Sequence, residues 1–170
     1  MWSLQCWPVS VQLGGHQFEV PAQPAAWWLS MLMDPNSDLL DLFPGCLDDA
    51  GQDVVNNLLF EGVVPLEDLH KTVLDIVGTN AARDWWVVFR LVEVARISWH
   101  TIGAEMLSRG VDPGRLSLAA WLDVLTVTLM KNIDPKDATM FAMKLEAPPP
   151  EAVAEVKEPE ISASQFMSMA

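Results

Sequence analysis

The sequence predicts a mainly α protein: a small helical bundle with an N-terminal β-hairpin and a disordered C-terminal tail. Three observations carry that reading. Gly14-Gly15 separates two runs in which apolar and polar residues alternate. The middle of the chain holds successive segments with apolar residues at helical spacing, punctuated by prolines. At "APPPEAVAEVKEPEISASQFMSMA" prolines cluster, acidic residues alternate with small ones and tryptophan is absent. The expected organisation is a hairpin over 1–22, a helical domain over 23–146 and an acidic, Pro-rich flexible tail over 147–170.

The elements follow in order. In "PVSVQLGGHQFEV" two glycines can both take positive φ, which a two-residue hairpin turn requires. In that register Val11 faces Phe18 and Val9 faces Val20, leaving Ser10, Gln12, Gln17 and Glu19 on the wet face. An isolated hairpin is marginal, so its apolar face either packs on the helices through Val11 and Phe18 or mediates self-association. "AAWWLSMLM" reads as a short helix starting near Pro24, and "LLDLFPG" as about one turn, stopped by Pro44-Gly45. "LDDAGQDVVNNLLFEG" is a helix whose Asp48 and Asp49 suit its N-terminus. "PLEDLHKTVLDIV" places Leu66, Leu69, Val73 and Val77 at helical spacing, and a long segment runs from about Arg83 to Ser108. "LSLAAWLDVLTVTLMKN" and "PKDATMFAMKLEA" complete the series. Asp112-Pro113 and Asp134-Pro135 are each suited to open a helix or helical turn, with Asp as N-cap and Pro at the first position.

Charge narrows the function. With 10 basic against 23 acidic residues the net charge is −13, which repels a phosphate backbone and an anionic membrane surface. No nucleic-acid or membrane partner is expected. "MWSLQCWPVS" lacks the basic and continuous apolar regions of a signal peptide, and the longest apolar run, "LSLAAWLDVLTVTLM", is too short to span a bilayer and holds Asp123. Cys6 and Cys46 have no metal spacing and read as free thiols in a reducing cytoplasm.

No enzyme chemistry converges. His16, His70 and His100 lie far apart without a partner at metal-binding spacing. "QLGGHQ" lacks the lysine and the strand-to-helix setting of a phosphate loop, and Asp48-Asp49, being adjacent, do not face each other on a helix. No serine sits in a nucleophile elbow. No catalytic residue, cofactor or metal is expected.

The richest stretch is "DWWVVFRLVEVARISW". Trp85, Val88, Phe89, Val92, Trp99 and Met106 follow one helical stripe, and Trp86, Leu91, Val94, Ile97 and Ile102 spread apolar surface beyond it. A helix apolar almost all round is usually central in a bundle, with Arg90 and Arg96 at its edge or paired with acids such as Glu93. The other reading gives some of this surface to a partner chain, since Trp and Arg are enriched at hot spots. Met130, Met140, Met143, Met167 and Met169 add adaptable thioether surface.

Four blocks, "VQLGGHQFEVPAQPAAWWLSMLM", "LLDLFPGCLDD", "ARDWWVVFRLVEVA" and "GVDPGRLSLAAWLDVLTVTLMKNIDPKDATMFAMKLEAPPPE", together resemble the tail assembly chaperones of long-tailed (siphovirus-type) phages of actinobacteria. The resemblance spans roughly Val11 to Glu151 and contains no catalytic motif. It implies a non-enzymatic chaperone in the host cytoplasm that binds the tape measure protein, a very long helical chain. The client stays soluble while tail tube subunits, a second expected partner, assemble around it, and the chaperone is absent from the mature virion. Such genes commonly yield a short form and a longer frameshifted one, and the small low-complexity tail resembles the short form. A structural tail component retained in the particle is the alternative, and a small helical enzyme or regulator is a third. On the chaperone reading, Trp27, Trp28, Trp86 and Phe141 are the candidate client-binding residues: Trp27 and Trp28 because neighbours on a helix point apart, Trp86 because it lies beside the main stripe, and Phe141 because it is on the last helix before the tail.

Overall fold

A computed structural model describes residues 8–155. Residues 1–7 and 156–170 lie outside them, and with them Cys6 and most of the expected tail, including Phe166, Met167 and Met169.

The hairpin forms as the glycines require. β1 (Val9–Leu13) pairs antiparallel with β2 (His16–Val20) in the register Val9 to Val20 and Val11 to Phe18. Gly14 and Gly15 have φ of 57° and 80°. Gly14 is required twice over, because a Cβ there would lie 2.7 Å from Cγ2 of Val64. Leu13, Phe18 and Val20 are buried, while Ser10, Gln12, Gln17 and Glu19 are exposed. Across the wet face Gln17 Nε2 donates to Ser10 Oγ at 2.8 Å. The apolar face lies on the helices: β1 packs on α4 (Leu66–Ala81), and the Phe18 ring meets Phe43 edge-on at 5.4 Å.

The helices are α1 (Ala25–Leu32), α2 (Leu42–Cys46), α3 (Asp49–Phe60), α4, α5 (Trp85–Ile97), α6 (Trp99–Ser108), α7 (Leu118–Asn132), α8 (Pro135–Glu146) and α9 (Pro150–Glu155), with 3-10 turns at Leu39–Asp41 and Pro113–Arg115. The acidic caps work as expected. Asp48 accepts from Gly51 N at 2.9 Å, Asp112 from Gly114 N at 2.8 Å and Asp134 from Lys136 N at 3.0 Å. Trp28, Phe43 and Trp121 sit in the centre of a core to which α4, α5 and α7 supply half of the remaining side chains. Arg83, which links α4 to α5, pairs with Asp123 of α7 at 2.6 Å.

Six expectations change. The segment from Arg83 to Ser108 is two helices, not one: Ser98 has φ −105° and ψ 17°, outside the helical well. The break lets α6 pack on α7 while α5 packs on α4, α7 and α8. The buried stripe of α5 is Val87, Val88, Leu91, Val92 and Ala95. Trp85 and Phe89 are half-buried, and Trp99 lies at the rim over Gly103. Pro44-Gly45 does not stop a helix but sits inside α2, where Pro44 falls in the first turn and its missing N–H is needed by no helical bond. Leu66 opens α4 on the solvent side. Trp28, expected as a client-binding residue, is fully buried. The tail does not begin at Ala147: the proline run is followed by α9, and Ala152 is buried.

Candidate functional site

α8 is the most lightly anchored of the longer helices. It buries one side chain, Leu145, and turns Met140 and Met143 outward. What holds it is its C-terminal end. Arg90 of α5 aims Nη1 at the carbonyl oxygens of Lys144, Leu145 and Ala147, at 2.6, 2.9 and 2.6 Å. The indole Nε1 of Trp86, one turn earlier on the same face, donates to Glu146 O at 3.2 Å. The last carbonyls of a helix have no intrahelical partner and carry the negative end of its dipole, so a guanidinium there both satisfies and neutralises them.

This clamp leaves a groove between α5 and α8 of about 600 Å³, lined by Phe89, Arg90, Glu93, Val94, Phe141, Lys144 and Leu145. A second depression of about 330 Å³, lined by Ile133, Asp137, Met140, Phe141 and Lys144, adjoins it through Phe141 and Lys144. Its floor is apolar. An edge-on series from Trp86 to Trp85 at 5.6 Å and Trp85 to Phe89 at 6.0 Å leads along α5 toward it. At the rim Glu93 is held by Arg96 through Nε at 2.9 Å and Nη2 at 2.7 Å. That hydrogen bond keeps its carboxyl below the usual range. The charged side chains that line the two depressions balance, Arg90 and Lys144 against Glu93 and Asp137, in a chain of net −13.

The four nominated residues divide. Phe141 lines both depressions and is half-buried, with part of its ring open. Trp86 belongs to the same α5–α8 contact, but its indole is committed to the end of α8. Trp27 lies elsewhere, on α1 against Gly45, half-buried and edge-on to Trp28 at 5.1 Å. Trp28 has 0 % exposure, so a client could not reach it without unfolding α1. Its Nε1 is buried and has no hydrogen-bond partner among the described residues, which costs about 1–3 kcal/mol that the packing must offset.

Sequence reasoning missed Phe89 and Lys144 as groove residues and the capping role of Arg90. The signal was available. Trp86, Arg90, Glu93, Val94 and Ile97 share one face of α5 at spacings of three and four. Ile97, at the end of that face, is 70 % exposed.

The rest of the described surface is chemically quiet. The three histidines are exposed, and among the described residues no three His, Cys, Asp or Glu side chains come together as a metal site. Burial pushes the Cys46 thiol up to about 12, so it is a packing group rather than a nucleophile. Among the described residues no helix is long and apolar enough to cross a membrane. No protein-family model, curated protein or solved structure matches the chain.

Proposed function

We propose that this protein is a non-enzymatic tail assembly chaperone of a long-tailed phage. On this reading it holds the tape measure protein soluble in the host cytoplasm while tail tube subunits assemble around it, and leaves before the virion matures. The observation that supports the reading best is the α5–α8 groove. It is apolar, it adjoins a depression lined by the exposed Met140, and it is carried by a strongly acidic chain. An amphipathic helix can lay one face into such a groove with anchors three and four residues apart. Methionine suits the task because its unbranched, polarizable side chain adapts to successive segments of a long client. The net charge opposes association between chaperones whose apolar surface is transiently free. The four sequence blocks that resemble the chaperones supply the identity of the client, and the groove supplies a place to hold it. Phe141, Phe89, Met140 and Met143 are then the contact residues, with Trp86 supporting them from below.

The test is co-expression with the tape measure protein followed by pull-down. Wild type should retain the client and keep it in the soluble fraction. Phe141→Ala should reduce capture while the chaperone stays folded, because truncating a contact aromatic costs roughly 2 kcal/mol or more in binding. Full capture by folded Phe141→Ala and Met140→Ser variants would remove the groove from the reading. Mass spectrometry of purified virions separates the chaperone from a structural component that stays in the particle: detection at stoichiometric levels would favour the latter.

A further inference from the structure

We propose that the outer edge of β2 is a docking site for an extended segment of another protein, one that alternates apolar and basic residues and joins the hairpin as an antiparallel third strand. This site is separate from the α5–α8 groove and does not depend on the function proposed for that groove.

The backbone supplies the first argument. A two-residue turn makes Leu13 and His16 a hydrogen-bonded pair, and the pattern alternates along the ladder. Gln12 with Gln17, and Ser10 with Glu19, are therefore the pairs whose N–H and C=O groups point away from each other. On β1 that outer side faces Thr72, Asp75, Ile76 and Thr79 of α4. On β2 it is open, and no described group hydrogen-bonds to the backbone of Gln17 or Glu19. The strand lacks the usual guards of an open edge. Its five pairs run without a bulge, and it holds neither proline nor lysine. Two N–H and two C=O groups at strand spacing match the backbone of another strand.

The cleft beside this edge supplies the second argument. It has a volume of about 580 Å³ and lies between residues 16–19 of β2 and Leu47, Ala50 and Val54 at the start of α3. Phe18 and Leu47 are buried in its floor. A strand laid along β2 points alternate side chains to opposite faces. Every second residue then meets Phe18, Leu47 and Val54, which selects apolar side chains. The others stand beside Gln17 and Glu19 at the rim. The charged side chains that line the cleft are Glu19 and Asp48, both acidic, and the exposed Asp49 and Asp53 follow on α3. Those positions therefore select lysine or arginine. The same charges oppose a second copy of a chain whose net charge is −13. β2 is about 17 Å long, so the docked segment has about five residues in contact.

The probe is a capped seven-residue peptide alternating Val and Lys, added to the full chain. Binding is read by fluorescence anisotropy of a labelled copy, and the edge by amide hydrogen exchange. The peptide should saturate below about 1 mM and slow exchange at the Gln17 and Glu19 amides, which are fast in the free protein. Methylating the backbone nitrogens of its lysines, which face β2 in the antiparallel register, should weaken binding about tenfold or more, because the bonds to the edge are lost. Replacing its lysines by glutamates should weaken binding about fivefold or more. No saturable binding, equal binding of the methylated peptide, or binding that leaves both amides fast would each overturn the proposal. Equal binding of the lysine and glutamate peptides would overturn the choice of a basic segment. Slow exchange at both amides in the free protein would also overturn the proposal, by showing the edge already covered. Protection that grows with protein concentration would assign that cover to a second copy.

Discussion

Arg90→Ala should release α8 from the body without unfolding the core. In the native protein one guanidinium nitrogen faces three carbonyl oxygens at 2.6–2.9 Å. Nη1 carries two N–H groups, so it makes the equivalent of two full bonds shared three ways. A bond from a charged donor contributes about 1.5–3 kcal/mol when its partners are shielded. Lys144 and Ala147 are exposed and water can replace the donor there, whereas Leu145 is buried. The helix-end dipole adds a few tenths of a kcal/mol. A net loss of about 2 kcal/mol is the reasonable figure. Since α8 buries only Leu145, most of that loss should appear as local opening. Amide exchange across residues 135–147 should speed up about 30-fold, the factor that 2 kcal/mol represents. If opening is coupled to global unfolding, a chain of 170 residues should also lose about 4–8 °C in Tm. Arg90→Lys should fall between, because a point charge cannot reproduce the planar fork. Hydrogen exchange read by mass spectrometry beside a thermal melt decides the matter. Unchanged protection of α8 together with a Tm within about 1 °C of wild type would show that the clamp is ornamental, since an effect of 2 kcal/mol would move both.

Other substitutions separate core from surface. Trp28→Ala should cost about 3–5 kcal/mol in chemical denaturation, whereas Phe141→Ala, at a half-buried site, should cost under half of that; similar losses would contradict the burial difference between them. Gly14→Ala should destabilise the protein by roughly 2 kcal/mol, from positive φ and contact with Val64, and Gly15→Ala by about 1 kcal/mol, since nothing lies within 4 Å of its Cβ position; equal effects would discount the Val64 contact. Cys46 should resist alkylation at pH 8 in the folded state and react on unfolding, as read by peptide mapping. Its thiol is raised from 9.0 to about 12, so the folded state holds the proton more tightly. The associated stability is fully present below pH 9.0 and is lost as pH climbs toward 12. Cys46→Ala should flatten that alkaline decline, and a decline of unchanged slope would assign it to other groups.

What the sequence made legible is what local chemistry dictates. The turn at Gly14-Gly15 had one low-cost conformation, and alternation on both sides left one register that puts Val11 and Phe18 on the core side. Asp48, Asp112 and Asp134 announced helical starts because a carboxylate can satisfy first-turn amides that have no intrahelical partner. Apolar periodicity located the helices but could not show the break at Ser98, since apolar spacing continues from Ala95 through Trp99 and Ile102 across it. It could not decide which of α5's two apolar faces is deep either. Trp85, Trp86 and Phe89 are bulkier than Val87, Leu91 and Ala95, yet the smaller residues fill the centre and the aromatics line the flank. That inversion follows from packing. A central helix crossed by α4 and α7 must let its neighbours approach closely, and valine and alanine permit this where tryptophan would hold them apart. Trp86 and Phe89 are displaced toward the light α8, where Phe89 lines the groove and Trp86 is bonded to the end of the helix. The tryptophan-rich stretch "DWWVVFRLVEVARISW" is therefore divided by size: its small residues complete the core, and its large ones stand half-buried on the flank.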